Sequence, residues 1–407
     1  MYPYPGYPYA GIFNERCVAA LKQCCDQVEV LSPRPYVPPL LSFVPRWKTY
    51  ATAVKYEVRG GVSIHRPATP VIPRLGTALW WDIAPFLWCR ATAKKMHRHV
   101  NFDAILSFDL LGAGGMAWRV GRELSIPAAG WAFGSDVRSP KSSALGRVVA
   151  RALQHLDLVF YQSHELLENA AQLLEVAADR ISHGRHVVLP HGIPEPPSTR
   201  THEVRRQIRT ELGINDNQLM VLSLGRIVRS KGIFELLEAF SLAAAKDPRL
   251  VAVIVGSTPT FDETAVVREK IAQTPGLGQR VILLSSCNPA KVWEYLCAAD
   301  IFAFTSHQEG MPNSLLEAMA MGVPAVAFAI PPVHEIDEDS GALVAVPPLD
   351  FASFAAALLR LAGSADERFR LAQKGKAQVM ERFMVRKNMA KAVQYIACVV
   401  KQPRSQS

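Results

Sequence analysis

The sequence predicts an α/β protein with two doubly wound, mostly parallel sheets, each covered by helices on both faces. Short β-type runs alternate with longer helix-forming runs along almost the whole chain. This alternation is typical of units in which a helix returns the chain to the same end of a sheet. After a polar, Arg-rich segment the alternation starts again at Leu219. At 407 residues the chain can bury two cores, so we expect two domains.

The order of the runs places the domain boundary at residue 195. Residues 1–195 open with a turn-rich segment and a helix-like run, residues 12–25. Arg59, Gly60 and Gly61 then separate two runs in the pattern of a β-hairpin. Further β-type runs of this domain lie at residues 28–33, 102–108, 127–133, 156–162 and 186–190. Those of the second domain, residues 196–384, lie at 219–225, 251–256, 281–284, 300–305 and 324–329. Residues 385–407 are predicted to be helical.

Composition and charge narrow the class of protein. With 49% hydrophobic and 20% charged residues, the chain is expected to be globular. No run approaches eighteen apolar residues and no signal peptide is apparent, which predicts a cytoplasmic protein. The seven cysteines lack zinc-type spacing and are expected to be reduced thiols. The net charge of +9 suits phosphorylated small molecules or anionic lipid, and no nucleic-acid motif accompanies it.

Two glutamates stand on either side of a predicted helix start in the second domain. A β-type run ends at Thr305, the loop with Glu309 follows, and an apolar helix-forming run begins at Leu315. The first turn of a helix leaves N–H groups unpaired, so this order favours an anion site. Ser314 and Glu317 also have capping-box spacing, which would explain Glu317 without a ligand. Glu309 precedes the helix and has no capping role.

A basic loop follows the first strand of the second domain. That strand ends at Gly225, and Arg226, Lys231 and Gly232 precede an amphipathic helix. Arg can fork onto phosphate oxygens and Lys adds a point charge, so the loop suits a diphosphate, with a solvated basic loop as the alternative. The loop of Glu309 lies about eighty residues further on, at the end of another strand. In one parallel sheet both loops would share an edge and form one site.

These two stretches resemble a known family. The run from Gly225 to Gly232, G-R-x4-K-G, and the run from Glu309 to Pro324, EGMPNSLLEAMAMGVP, resemble retaining, nucleotide-sugar-dependent glycosyltransferases of family 4. The resemblance is strong over residues 219–330 and looser before residue 200. It implies the GT-B fold, in which two Rossmann-like domains face each other across a cleft and a C-terminal helix returns to the first domain.

The resemblance also implies an activity and a set of residues. The expected reaction is a metal-independent, retaining transfer of a hexosyl group from a nucleoside diphosphate sugar, without a cofactor. The acceptor would be a glycan or a lipid-linked molecule in surface polysaccharide or glycolipid synthesis. Glu309 would hold sugar hydroxyls and Glu317 the ribose hydroxyls, while the leaving diphosphate would be stabilised by Arg226, Lys231 and the N–H groups from Asn313 to Leu315. The expected donor-binding set is Gly11, Gly225, Arg226, Lys231, Glu309, Gly310, Met311, Asn313, Ser314, Leu315 and Glu317.

Asp136 is the candidate for contact with the acceptor hydroxyl. It closes the segment Phe133-Gly134-Ser135-Asp136, where many relatives carry a histidine in place of Phe133. A helix N-cap at Ser135 or Asp136 is the alternative. Two further departures are Ile330-Pro331-Pro332, where relatives often have a glycine pair, and Ser285-Ser286-Cys287, where a glycine is common. Relatives also place a buried strand before their first loop, whereas Met1 falls almost inside that loop, so the first strand is expected to be missing.

Residues 75–100 join an aromatic segment to a basic one. The aromatic residues Trp80, Trp81, Phe86 and Trp88 precede the cations Arg90, Lys94, Lys95 and Arg98. Such a segment fits an interfacial helix on an anionic membrane surface, which would make the protein peripheral on the inner face of the cell membrane. A partly buried helix with a basic end fits equally well. Pro85 is expected to interrupt the helix.

Other short motifs suggest rival functions. The run Gly112-Ala113-Gly114-Gly115-Met116-Ala117 matches the GxGxxA dinucleotide fingerprint, so a nicotinamide-dependent oxidoreductase is one alternative. Asp337-Glu338-Asp339 matches a metal-binding DxD triplet, although a solvated turn explains it equally simply. His307, His334 and the pair His97 and His99 have no third ligand at metal spacing. A noncatalytic scaffold or binding subunit is the other alternative, because the first strand and the histidine at position 133 are absent.

Overall fold

The computed structural model describes residues 2–7, 11–38, 40, 43–70, 78–181, 184–197, 201–256, 263–284, 288–338 and 340–401. The chain divides into two compact units. The first comprises Met1–Gly192 and Val385–Ser407, and the second comprises Ile193–Met384. Each unit contains its own parallel sheet.

The first unit is built on a four-stranded parallel sheet. Its elements up to residue 192 are α1 (Ile12–Leu21), β1 (Glu29–Leu31), β2 (Arg34–Pro35), α2 (Pro45–Ala51), β3 (Tyr56–Arg59), β4 (Val62–His65), β5 (Ala68–Thr69), α3 (Ala78–Val100), β6 (Ile105–Phe108), α4 (Ala113–Leu124), β7 (Ala128–Ala132), α5 (Ala144–His155), β8 (Leu158–Tyr161), α6 (His164–Leu174), α7 (Ala178–Ile181) and β9 (His186–Val188). Strands β6, β7, β8 and β9 are neighbours in that order and pair in parallel. Their carboxyl ends therefore lie along one edge.

Two smaller sheets accompany the main sheet of the first unit. Strand β4 pairs in parallel with β1 and antiparallel with β3, while β2 pairs with β5. Gly60 and Gly61 join β3 to β4 with φ of +58° and +71°, which a two-residue hairpin turn of the left-handed type requires. The predicted hairpin is confirmed. In the described residues before α1, the structure shows an isolated bridge between Tyr4 and Tyr7.

The second unit is built on a six-stranded parallel sheet. Its elements are α8 (His202–Glu211), β10 (Leu219–Leu224), α9 (Ile233–Ala244), β11 (Leu250–Val255), α10 (Thr264–Gln273), β12 (Val281–Leu284), α11 (Pro289–Ala298), β13 (Ile301–Phe304), α12 (Asn313–Ala320), β14 (Ala325–Phe328), α13 (Pro331–Asp337), β15 (Val344–Val346), α14 (Phe351–Gly363) and α15 (Ala365–Arg382). The strand order is β12-β11-β10-β13-β14-β15. The chain order thus reverses between β10 and β13, and ligands of open α/β sheets bind at such a reversal, beyond the carboxyl ends of the strands.

Buried apolar residues cover both faces of this six-stranded sheet. Leu222 and Phe302 point into one core with α12, whereas Val221 and Ile301 point into another with α9 and α14. Neighbouring strand residues therefore serve opposite faces, as the pleat of a strand requires. Strands covered on both faces are continuous apolar runs in sequence, which explains why the alternation of runs predicted this fold.

The last helix, α16 (Val385–Val400), belongs to the first unit. Its residues Val385, Met389 and Ala392 pack in one apolar cluster with Trp131 of β7 and Phe160 of β8. Asn388, on the same helix, donates a hydrogen bond to the carbonyl of Pro190 at 2.9 Å. The predicted return of the C-terminal helix to the first domain is confirmed.

Helix α3 is continuous through Pro85, so the prediction that this proline interrupts the helix is wrong. The buried carboxylate of Asp82 holds the helix in place, because it pairs with Arg119 at 2.8 Å and with Arg151. Buried Cys89 and Ala93 pack against residues of α4. This packing outweighs the hydrogen bond that a proline cannot donate. Within the described ranges, the structure has no helix long and apolar enough to cross a membrane.

Candidate functional site

The two loops predicted to form one site follow neighbouring strands. Strand β10 pairs in parallel with β13, with Val221 opposite Ile301 and Leu222 opposite Phe302. Beyond the strands, the Thr305 hydroxyl donates a hydrogen bond to the carbonyl of Gly232 at 2.7 Å. The N–H of His307 donates to the carbonyl of Ser230 at 3.2 Å. These bonds fix one loop against the other.

The joined loops bring a cation and a carboxylate into contact. Lys231 Nζ forms an ion pair with Glu309 Oε1, and both side chains are largely shielded from solvent. The side chain of Arg226 is exposed, and in the described part of the chain it has no ion pair or hydrogen bond. The side chain of Arg226 is thus available to an anionic ligand. The ammonium group of Lys231 can bind such a ligand either by breaking its ion pair with Glu309 or by contacting both groups. The contact between the loops after β10 and β13 is what the sequence predicted. A common site for Arg226, Lys231 and Glu309 stays a prediction.

Gly232 is required where the two loops meet. Its φ is +66°, and a Cβ on this residue would lie 1.8 Å from the carbonyl oxygen of Thr305. Gly225 differs, because a Cβ there would meet no heavy atom within 4 Å. The open space beside Gly225 lies at the end of β10, next to Arg226. Occupation of this space by a phosphate group stays a prediction.

These two glycines form a matched pair for mutagenesis. We expect Gly232→Ala to destabilise the second unit by about 2 kcal/mol or more, through backbone strain and overlap with Thr305. Gly225→Ala is expected to fold with nearly unchanged stability and to bind nucleotide more weakly, because its methyl group occupies the open space. Thermal unfolding with and without nucleotide measures both effects. Equal stability of the two variants would contradict the close approach of Gly232 to Thr305.

Helix α12 begins two residues earlier than a capping box of Ser314 and Glu317 would require. Its N-cap is Pro312, which makes no side-chain cap bond, so the alternative explanation of Glu317, a capping box with Ser314, is wrong. The carbonyl of Pro312 accepts from the N–H of Leu315 and of Leu316, each at 3.1 Å. The predicted anion site therefore has one donor fewer than expected, because the N–H of Leu315 is already bonded to the carbonyl of Pro312. In the described residues, the N–H groups of Asn313 and Ser314 have no acceptor.

The other predicted donor-binding residues of the second unit lie close to this helix start. Gly310 and Met311 are buried in the loop before α12. Asn313 also has a buried side-chain oxygen, Oδ1, without a hydrogen-bond partner. Glu317 lies in the second turn of α12 and is largely buried. Its contact with ribose hydroxyls stays a prediction.

Asp136 has a different environment from the one predicted. Helix α5 is capped by Ser143, so neither Ser135 nor Asp136 is a helix N-cap. Asp136 Oδ2 accepts from the N–H of Leu110 at 3.2 Å and of Phe133 at 3.3 Å, and Oδ1 accepts from Gly134 at 2.9 Å and Val137 at 3.1 Å. Four backbone donors thus use this buried carboxylate to fasten the loop after β6 to the loop after β7. Contact of Asp136 with an acceptor stays a prediction.

Asp109 is a candidate residue that the sequence reasoning missed. It directly follows β6, has a φ of +120°, and its carboxylate accepts the N–H of Leu111. Burial, together with the nearby charge of Asp136, raises the pKa of Asp109 to about 7. A non-glycine residue in this conformation with a perturbed pKa is a mark of a functional site. An aspartate at the end of a β-type run was the visible signal.

Other predicted features receive structural roles or stay predictions. Gly11 has a φ of +75° and is the N-cap of α1; its contact with phosphate stays a prediction. In the run from Gly112, a Cβ on Gly114 would lie 3.4 Å from Ala152 Cβ, so this glycine serves the packing of α4 on α5. Asp337 Oδ1 accepts the N–H of Ala342 at 2.7 Å and stabilises a turn. Asp339 and the Ser285-Ser286-Cys287 segment lie outside the described residues.

The predicted contact with an anionic membrane surface concerns the exposed side of α3. Leu87 and Trp88 are exposed there, as are Arg90, Lys95 and Arg98. Glu123 of α4 pairs with Arg90 at 3.7 Å and with Lys94 at 2.9 Å, which reduces the positive charge of this face. Residues 75–77 and the side chains of Trp80 and Trp81 lie outside the described part of the structure. Contact of α3 with an anionic membrane surface stays a prediction.

Comparison with known proteins agrees with the fold. Residues 204–378 match the family model for glycosyl transferases group 1. A Bacillus subtilis protein named as a teichuronic acid biosynthesis glycosyltransferase, TuaC, is 29% identical over 329 residues, which cover 80% of this chain and 78% of that protein. An α-monoglucosyldiacylglycerol synthase of Streptococcus pneumoniae is 30% identical, over 37% of this chain and 34% of its own length.

Solved structures show the same fold at low sequence identity. Sucrose-phosphate synthase from Thermosynechococcus elongatus has a TM-score of 0.72 at 20% identity, covering 96% of this chain and 93% of its own. HepE of Anabaena, solved with UDP and glucose, has a TM-score of 0.71 at 17% identity, covering 97% of this chain and 98% of its own. Over residues 204–378 the chain is therefore similar to the glycosyl transferases group 1 family, and its fold is the GT-B fold with two Rossmann-like domains.

Proposed function

We propose that the chain transfers a sugar, with retention and without a metal, from a nucleoside diphosphate sugar to a glycan or lipid-linked acceptor. The observation that carries the proposal is the junction of the loops after β10 and β13. This junction pairs Lys231 with Glu309, and the same two loops carry Arg226 and lead into the first N–H groups of α12. Cations and unpaired N–H groups together suit a diphosphate, and the adjacent carboxylate suits the sugar attached to it.

The leaving diphosphate is the group that these cations stabilise. As the bond to the sugar breaks, negative charge develops on the phosphate oxygens, and fixed donors at that position lower the barrier. Arg226 is exposed, and the N–H groups of Asn313 and Ser314 lack acceptors in the described residues. Lys231 joins them once the phosphate competes with Glu309 for its ammonium group. Binding of the donor thus exchanges one ion pair for another.

Glu309 acts on the sugar in this proposal. When Lys231 turns to the phosphate, the Glu309 carboxylate can accept hydrogen bonds from sugar hydroxyls and face the positive charge that develops on the sugar ring. Glu309 and Glu317 do not form the pair of carboxylates that flanks a bond in glycoside hydrolysis, because Glu317 lies buried in the second turn of α12. Loss of the diphosphate on the face that the acceptor attacks accounts for retention.

Relatives favour a role in surface polysaccharide or glycolipid synthesis. TuaC is named for teichuronic acid biosynthesis, and a second relative is named for the synthesis of a glycolipid, monoglucosyldiacylglycerol. HepE was solved with UDP and with UDP-glucose, which makes uracil the first base to test. In this proposal the second unit binds the donor and the first unit binds the acceptor.

The experiment that tests the proposal is thermal unfolding with UDP, GDP, ADP and NAD in turn. A nucleotide at a hundred times its dissociation constant should stabilise the protein by about 2.7 kcal/mol, which shifts the unfolding midpoint visibly. We expect one nucleoside diphosphate to give this shift, and Arg226→Ala with Lys231→Ala to abolish it. The matched control is Lys270→Ala with Lys291→Ala, which removes two surface cations paired with Glu238 and Glu211.

Each other outcome of this experiment contradicts the proposal in its own way. A shift with NAD alone would support the nicotinamide-dependent alternative. A shift that survives in the Arg226 and Lys231 variant, or disappears equally in the control, would place the nucleotide elsewhere. No shift with any of the four would favour a noncatalytic binding subunit.

A further inference from the structure

His191 and Gln162 form a hydrogen-bonded pair at the carboxyl edge of the sheet in the first unit. Gln162 directly follows β8, and His191 lies in the loop after β9. Gln162 Oε1 accepts the backbone N–H of His191 at 3.0 Å and lies 2.7 Å from His191 Nδ1. A backbone N–H can only donate, so the atom of Gln162 at this position is the oxygen, and Nδ1 of His191 must carry a proton. The imidazole therefore presents a lone pair at Nε2.

Each member of the pair keeps one polar atom without a partner. His191 is 4% exposed and Gln162 is 1% exposed, and among the residues that the structure describes neither His191 Nε2 nor Gln162 Nε2 has a hydrogen-bond partner. Burial, with the charge of Arg16 as a smaller cause, lowers the pKa of His191 to about 4, so the ring is neutral at physiological pH. A buried acceptor and a buried donor left unpaired are costly unless a ligand satisfies them.

The surroundings of the pair define the ligand. A free lone pair on neutral imidazole repels phosphate and carboxylate oxygens, whereas a hydroxyl group can donate to Nε2 of His191 and accept from Nε2 of Gln162. Two aromatic rings lie edge-on to the imidazole, Phe133 at 5.5 Å and Phe13 at 6.2 Å between ring centroids. Apolar surface around a few placed polar groups is typical of sites for uncharged ligands.

We propose that His191 and Gln162 bind a hydroxyl group of a sugar. This inference rests on the proposed function, and it deepens that function by adding a sugar-binding pair that the sequence analysis did not name. Phe13 is 39% exposed and stands in the first turn of α1. Because His191 Nε2 has no contact with solvent in this structure, the proposal requires the ring of Phe13 to move before the ligand can bind. The sugar belongs either to the donor or to the acceptor, and the two sources are separated by experiment.

The test is nuclear magnetic resonance of the full chain labelled with ¹⁵N at histidine. The Nε2 signal of His191, identified by its absence in His191→Leu, should move when a sugar hydroxyl binds. The ligands are UDP-glucose, GDP-mannose and ADP-glucose, the matching nucleotides UDP, GDP and ADP, and free glucose and mannose. His186 is the internal control, since it is also buried, its pKa is also lowered to about 4, and its Nδ1 is paired with the Tyr161 hydroxyl at 2.7 Å.

The pattern of responses decides between the sources of the sugar. A response to a nucleotide sugar but not to its nucleotide assigns the pair to the donor sugar. A response to free sugar, with or without nucleotide, assigns it to the acceptor. In the first case His191→Leu should weaken binding of the nucleotide sugar about tenfold relative to the nucleotide, and in the second it should weaken binding of the free sugar about tenfold.

A signal of His191 that moves with none of these ligands, or only as much as that of His186, would overturn the proposal. The pair would then be a structural element of the loop after β9. That failure differs from a failure of the proposed function, which is judged by thermal unfolding with nucleotides alone. If a nucleotide stabilises the protein while no ligand moves the Nε2 signal of His191, only the proposed sugar-binding pair is refuted.

Discussion

Replacing Glu309 with Gln is expected to lower sugar transfer about 10²–10³-fold while the second unit stays folded. Gln keeps the shape of Glu but removes the negative charge and replaces one acceptor oxygen with an NH2 donor. In the proposed reaction that charge faces the positive charge developing on the sugar, so its loss is expected to act on the transition state more than on the bound donor. We therefore expect kcat and kcat/KM to fall together, with little change in the dissociation constant of the nucleotide. Steady-state kinetics and nucleotide titration measure the two quantities.

Lys231 provides an internal check on this expectation. Because Lys231 Nζ pairs with Glu309, losing either side chain leaves the other without its partner, and the two effects should not add. The double variant Lys231→Ala with Glu309→Gln is expected to be less impaired than the product of the single effects. Glu238→Gln on α9 is the control, since Glu238 pairs with Lys270 on the surface. Transfer by Glu309→Gln within a few-fold of the original would show that the carboxylate has no catalytic role.

The strands could be predicted because burial leaves a pattern in the sequence. Residues 128–132 and 158–161 are buried throughout, and each appears in the sequence as an unbroken run without charge. Strand β15 escaped prediction because it has three residues and alternates in exposure. Helix α8 escaped because its Arg205 and Arg209 made the segment look like a polar linker. Both bind the carboxylate of Asp300, at 2.6 Å and 2.9 Å, which the sequence could not reveal.

The sequence could predict which site loops meet where those loops follow neighbouring strands of a parallel sheet. It could not predict hydrogen bonds between side chains of loops that are far apart in the sequence. Arg226, Lys231 and Glu309 follow from strand order alone, since parallel neighbours share an edge. Leu315 was wrongly included among the free N–H donors because the helix start depends on Pro312, whose carbonyl accepts that bond. His191 was overlooked because its pairing with Gln162 joins residues 29 positions apart, on two different strand ends.

The strongest pH dependence of stability in the first unit is expected from Asp109. In the unfolded chain this carboxyl group ionises near pH 4, whereas in the folded protein its pKa is raised to about 7. Between these pH values the folded protein holds a proton that the unfolded chain has lost. The contribution of Asp109 to the free energy of unfolding therefore falls as pH rises from about 4 to about 7 and is constant above that range, while His186 and His191, whose pKa values are lowered to about 4, act in the opposite direction. Three pKa units correspond to about 4 kcal/mol, the upper limit of the effect.

Asp109→Asn should remove this dependence, because an amide stays neutral and its oxygen can still accept the N–H of Leu111. Relative to the original protein, the variant should gain stability steadily between pH 4 and pH 7, by up to about 4 kcal/mol. Urea unfolding followed by tryptophan fluorescence reports mainly on the first unit, since every tryptophan except Trp293 lies there. Asp216→Asn, at an exposed position of the second unit, is the matched control.

Parallel stability curves for Asp109→Asn and the original protein would mean that Asp109 ionises as freely in the fold as in the unfolded chain. Diverging curves would show that the fold keeps a carboxyl group at the sheet edge protonated until near neutral pH, where a small change in its surroundings alters its charge.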